Sequence, residues 1–194
     1  MKNIILLLTT LISSISFGQS WTKQYDCVNE ASSGLAKVSK NHKCGFVDAK
    51  GKVVVAIKYD DALNFSEGMA AVSIGGKWGF VDSTGREVIP LNFTDALSFL
   101  EGLAVVGNGD NYGFIDKTGK MVISGTYTNA KCFSHGVAPV CNRKNQWGYI
   151  DKSGKEVISF QFQYADVFQD DQAKVMKSGK WLVIDMSGTV INEK

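Results

Sequence analysis

The sequence predicts an all-β protein built as a tandem repeat array of three-stranded β-meander units. Three observations carry that prediction. A pattern at residues 77–90, KWGFVDSTGREVIP, returns as HKCGFVDAKGKVVV, NYGFIDKTGKMVIS, QWGYIDKSGKEVIS and KWLVIDMSGTVINE. Its anchor falls at Cys44, Trp78, Tyr112, Trp147 and Trp181, so the copies stand 34 or 35 residues apart, a fixed period of the kind that marks repeat architectures. Within each copy apolar residues alternate at period two between clusters of Gly, Asn and Asp, as in short strands joined by tight turns. An open β-solenoid or superhelix is expected, with a closed five-bladed propeller-like ring as the alternative. Three strands are lean for a propeller blade, which typically has four.

Residues 1–18 stand outside the repeats. Lys2 supplies a positive n-region, Ile4 to Ile12 an apolar stretch, and Ser16 and Gly18 the small residues before a cut at Gln19, which together read as a secretory signal peptide. Residues 19–24 then form a short linker. No cysteine follows the cut directly, so no lipid anchor is expected and the reading is a secreted or periplasmic chain without a membrane span. Removing 18 of the 194 residues leaves 176, and losing Lys2 lowers the formal charge from +2 to +1. A near-neutral chain of mixed charge gives no electrostatic footprint for nucleic acid.

Five repeats follow, at 25–58, 59–92, 93–126, 127–161 and 162–194. Each opens on an aromatic with a small residue three later and usually another ring six later, as in Tyr59, Ala62 and Phe65. That spacing suits a single helical or three-ten turn. Next comes a strand carrying a recurrent alanine and valine (Ala70 and Val72 in the second copy), whose alternation predicts one buried face and one variable, solvated face. A Gly- and Asn-rich turn leads to the strand that bears the anchor ring. That strand ends in an Asp-x-x-Gly turn at Asp48 and Gly51, Asp82 and Gly85, Asp116 and Gly119, Asp151 and Gly154, Asp185 and Gly188. Asp at the first position and Gly at the fourth fit a type I turn closed by a left-handed residue. A third strand, Glu87 to Ile89 in the second copy, completes the unit.

The Trp-Gly-Phe/Tyr-Val/Ile-Asp-x-x-Gly-Lys/Arg core resembles the WG-repeat family of bacterial proteins over residues 25–194. Departures are Cys44, Tyr112 and Leu182 at the Trp-Gly pair. The resemblance implies an all-β, often exported array with no common activity, and carries over no catalytic residues.

Cys27, Cys44, Cys132 and Cys141 all lie in the exported part, where disulfides are chemically allowed. Of three connectivities, the repeat register favours Cys27 with Cys44 and Cys132 with Cys141; free thiols are the alternative. His42 and His135 lie near these pairs, but each group offers three ligands where zinc takes four, so no metal is expected. The rings Trp78, Tyr112, Trp147 and Trp181 are read first as a core ladder and second as a sugar-binding platform. The five aspartates are read as turn caps, and Lys52, Arg86, Lys120 and Lys155 as a solvated edge that resists aggregation. No nucleophile and base pair, phosphate loop or recurring carboxylate pair supports catalysis, and no cofactor is expected. The function expected is a non-catalytic exported scaffold that binds another protein at the envelope or outside the cell. A glycan- or peptidoglycan-binding module is the alternative.

Overall fold

A computed structural model describes residues 20–193, so the predicted signal peptide lies outside the described residues. Among them, a short 3-10 helix, Ser20–Gln24, precedes five four-stranded antiparallel sheets whose strands pair in chain order. The first sheet holds Cys27–Ser32, Leu35–Lys40, Lys43–Val47 and Val53–Tyr59; the second holds Asp61–Ala62, Met69–Ile74, Lys77–Asp82 and Glu87–Phe93. The third holds Asp95–Ala96, Ala104–Asn108, Asn111–Ile115 and Met121–Tyr127. Asn129–Ala130, Val137–Cys141, Trp147–Asp151 and Glu156–Phe162 make the fourth; Tyr164–Ala165, Gln172–Lys177, Lys180–Asp185 and Val190–Glu193 make the fifth.

Each unit therefore has four strands, not the expected three. The segment read as a helical turn supplies the extra one: Ala62 pairs with Val72, Ala96 with Val106, Ala130 with Val140 and Ala165 with Val175. After two residues the chain leaves the ladder and drives a ring such as Phe65 into the space between sheets, which produces the three-residue spacing. The aromatic read as opening each repeat closes the sheet before it, since Tyr59 pairs with Cys44, Phe93 with Trp78, Tyr127 with Tyr112 and Phe162 with Trp147.

Neighbouring sheets pack face to face, and apolar clusters join the first to the second, the second to the third, the third to the fourth and the fourth to the fifth. At every joint a ring on the third strand meets a ring of the following sheet: Phe46 with Phe65, Phe80 with Phe99, Phe114 with Phe133 and Tyr149 with Phe168, at 4.8–4.9 Å between centroids. The predicted half-buried second strand is buried on both faces in the middle sheets, because a neighbour covers each side. Hydroxyls lock three joints, with Ser32, Ser66 and Ser134 donating to the carbonyls of Phe65, Phe99 and Phe168 at 2.6–2.7 Å. Glu67 and Glu101 lock two more contacts, accepting from Gly102 N and Gly136 N and pairing with Lys117 and Lys152.

The two ends are finished differently. Trp21 and Tyr25 pack against Ala36, Val38 and Val47 on the first sheet. Trp21 lies so close to Gly51 that a Cβ there would meet its ring at 2.5 Å, the place that Ile89, Ile123 and Ile158 take against Gly119, Gly154 and Gly188 further along. At the other end, Gln172, Lys174, Val183 and Asn192 hold the positions that carry Val137, Pro139, Tyr149 and Ile158 in the fourth sheet. Three of these four positions, apolar in the fourth sheet, are thus polar in the fifth. Among the described residues no cluster joins the first sheet to the fifth.

Candidate functional site

One row of three residues crosses each sheet at the anchor position. The rows are Cys27, Ser39, Cys44; Asp61, Ser73, Trp78; Asp95, Gly107, Tyr112; Asn129, Cys141, Trp147; and Tyr164, Met176, Trp181. Each row faces the following sheet, so its environment depends on what that sheet provides. Cys44 and Trp147 are buried, Trp78 and Tyr112 are half-buried, and Tyr112 donates its hydroxyl to Asp95 at 3.0 Å. The ladder is therefore core in part. Trp181, with no following sheet against it, is 42% exposed where Trp147 is 7% exposed.

The fifth row also gains a ring. Tyr164 stands where the other sheets carry Cys27, Asp61, Asp95 or Asn129, and it sits between Trp147 and Trp181 at centroid distances of 5.9 and 5.7 Å. Lys131 lies 4.0 Å from the Tyr164 ring centroid and donates to the Tyr164 hydroxyl at 2.6 Å and to Asp166 at 3.0 Å. Burial works to raise the Asp166 carboxyl, but the Lys131 bond and the Val167 amide outweigh it and hold the group below the ordinary carboxylate range. Trp181, Tyr164, Asp166 and Lys174 line a cavity of about 440 Å³, within the size range of small-ligand sites. Sequence reasoning singled out Trp181 but missed Tyr164, Lys131, Asp166 and Lys174. The available signal was the arrival of a ring in a column otherwise filled by Cys, Asp and Asn.

The cysteines are not brought together as expected. All four are free thiols. Cys27 and Cys44 flank Ser39 from opposite sides, two strands apart, which places them roughly 10 Å apart where a disulfide needs under about 7 Å. Cys132 packs into the joint with the third sheet and Cys141 into the joint with the fifth, on opposite faces of their own sheet. Burial raises the Cys44 and Cys132 thiols, which keeps both protonated and unreactive. His42 sits in a turn at φ +60°, just before the strand that carries Cys44.

The Asp-x-x-Gly turns cap themselves as expected. In each, one carboxylate oxygen accepts the amides two and four residues on, at 2.8–3.1 Å, and the glycine lies at φ +80° to +87°. Hydrogen bonds from the hydroxyls of Thr84, Thr118, Ser153 and Ser187 hold Asp82, Asp116, Asp151 and Asp185 below the usual range, Asp82 at about 2. A carboxylate whose folded pKa is depressed stabilises the fold above its unfolded value near 4, and that contribution disappears as pH falls through the folded value. The thermal midpoint should thus hold level from pH 7 to about 5 and fall steadily between about pH 4 and 2. Asp82→Asn keeps the accepting oxygen, as Asn142 does in its own turn, and should make that acid-side fall shallower in a melt followed by circular dichroism.

A family profile described as "WG containing repeat" matches four successive segments, 45–78, 78–112, 112–145 and 147–181, each running close to one anchor ring from the next. The chain belongs to the WG-repeat family. No curated protein matches it significantly. Among solved structures, the computationally designed Ika8 protein is similar at a TM-score of 0.58 and 12% identity, over 87% of this chain and 61% of that one. BamB from Moraxella catarrhalis is similar at 0.56 and 15% identity, over 86% and 60% of the two chains. Hsv2 from Kluyveromyces lactis is similar at 0.53 and 14% identity, over 82% and 60%. The chain thus spans about three-fifths of the length of these structures, and the likeness is one of fold, four-stranded sheets of the propeller-blade kind. Among the described residues no helix is long and apolar enough to cross a membrane.

Proposed function

We propose that this WG-repeat protein is an exported, non-catalytic scaffold whose five sheets form an open array and whose outer strands bind a protein partner. The observation that carries the binding surface is a recurrent exposed apolar column on the fourth strands. Val122, Val157 and Ile191 occupy equivalent positions and are 43%, 46% and 48% exposed, while Val54 and Val88 at the same position are half-buried against their clusters. Met121 and Val190 stand exposed beside them. Each fourth strand is also the edge of its sheet, so its backbone is open to a strand from a partner, with alternate apolar side chains to set the register. The Trp21 cap at one end and the polar face of the fifth sheet at the other support an open array. The apolar stretch Ile4 to Ile12 behind Lys2 supports export.

The test is affinity capture from envelope extract with the wild type and with Val122→Lys/Val157→Lys, both changes at exposed positions that leave the core intact. A protein retained by the wild type and lost from the double variant is the expected result. Equal capture by both forms, with pelleting on insoluble wall material in its place, would overturn the protein-binding reading.

A further inference from the structure

The exposed face of the fifth sheet is polar in a selective way. Relative to the fourth sheet, Tyr149 becomes Val183, Ile158 becomes Asn192, Val137 becomes Gln172 and Pro139 becomes Lys174. A face altered only to stay soluble would lose its rings. Instead Trp181 is kept at 42% exposure and Tyr164 replaces the Cys, Asp or Asn of the other rows. The two rings meet at 75° and make a corner, not a flat platform.

Two cavities share this face. The one at the rings, about 440 Å³, and the next, about 540 Å³ and lined by Gln169, Gln172 and Asn192, have Asp166, Lys174 and Val183 in common. They form one groove with aromatic faces at one end and side-chain amides at the other. Asp166 is ion-paired with Lys131, and Asp170 and Lys174 add one further charge of each sign, so the groove carries little net charge and favours a neutral ligand over an anion or a cation. Amides and a carboxylate pair with hydroxyls, and indole and phenol faces cover the axial C–H face of a sugar ring.

We propose that this groove is a glycan-binding site for an uncharged, β-linked, gluco-configured oligosaccharide. Its ring hydroxyls are all equatorial, so it offers a continuous C–H face to Trp181 while its hydroxyls reach Gln172 and Asn192. The extended β-linked chain follows the groove from rings to amides. The site shares only Asn192 with an outer strand, that of the fifth sheet, and needs no protein partner.

The test is a titration of the whole protein with cellohexaose, followed by intrinsic tryptophan emission and by calorimetry, with maltohexaose as the α-linked comparator. A saturable blue shift with cellohexaose is expected, since Trp181 is the ring that passes from water into contact. Trp181→Ala should weaken binding at least about tenfold and Trp181→Phe should restore most of it. Tyr164→Asn, which reinstates the residue of the fourth row, should weaken it as well, with circular dichroism verifying the fold of each variant. No saturable signal, equal affinity for maltohexaose, or affinity unchanged in Trp181→Ala would overturn the site. Val122→Lys/Val157→Lys should bind cellohexaose as the wild type does, so failure of the protein-binding surface and failure of this groove are told apart.

Discussion

Gly79→Ala is expected to cost on the order of 4 kcal/mol, far beyond what an extended glycine normally costs. A Cβ at Gly79 would lie 2.4 Å from the Ile89 carbonyl oxygen and 2.7 Å from the Pro90 carbonyl carbon, both backbone atoms with no rotamer to give. The ladder explains the crowding. Trp78 pairs with Phe93 and Phe80 with Ile89, so Gly79 between them faces three residues of the fourth strand, Pro90 to Asn92, and the surplus peptide bulges onto the glycine. Gly45, Gly113 and Gly148 meet the same bulge. In the fifth sheet Leu182 pairs with Glu193 and Val183 with Asn192 without that surplus, and a leucine fits where the motif has glycine. Gly68→Ala is the comparison: nothing lies within 4 Å of its Cβ, and its φ of +83° alone should cost about 1–2 kcal/mol. Urea midpoints of the two variants measure the difference, and equal losses would show that the bulge does not set the glycine.

Phe114→Ala should destabilise by about 3–5 kcal/mol, the range for an aromatic removed from a closed core. Phe114 is fully buried and meets Phe133 of the following sheet at 4.9 Å and 61°. The pair belongs to the apolar cluster that ties the third sheet to the fourth, so its loss should loosen the two halves of the array and broaden the urea transition. In a double-mutant cycle with Phe133→Ala the coupling should be about 0.5–1.5 kcal/mol beyond area burial. Val183, which holds the ring's position in the fifth sheet and faces no following sheet, should tolerate alanine with a far smaller loss. A steep, unshifted transition for Phe114→Ala would show that the joints do not depend on their ring pairs.

The period, the anchor rings and the Asp-x-x-Gly turns were legible in the sequence because each is fixed by local chemistry that repeats as letters. The short first strand of the later sheets was not. Asp61–Ala62 is two residues long, below what alternation can reveal, and its pairing with Val72 is a tertiary fact. The disulfides were misread because the repeat register counts residues along the chain, while Cys27 and Cys44 lie on strands separated by a third. The anchor tryptophans share one letter yet differ in burial, since each ring's cover comes from the following sheet. The decisive hint lay in Gln172, Lys174 and Asn192, polar letters in columns that are mostly apolar in the earlier copies.

The interval from Tyr112 to Trp147 is 35 residues where the other anchor intervals are 34, and the structure shows where the surplus goes. The second and third strands of the second sheet join through Gly75 and Gly76, both at positive φ; in the fourth sheet the same junction is the longer turn closed by Asn142 and by Asn145 at φ +57°. Trp147 nonetheless lands opposite Cys141 as Trp78 lands opposite Ser73. The extra residue at this junction is thus absorbed before it reaches the anchor, which makes the junction a place where a designer can graft a foreign epitope while the stacking below is left untouched.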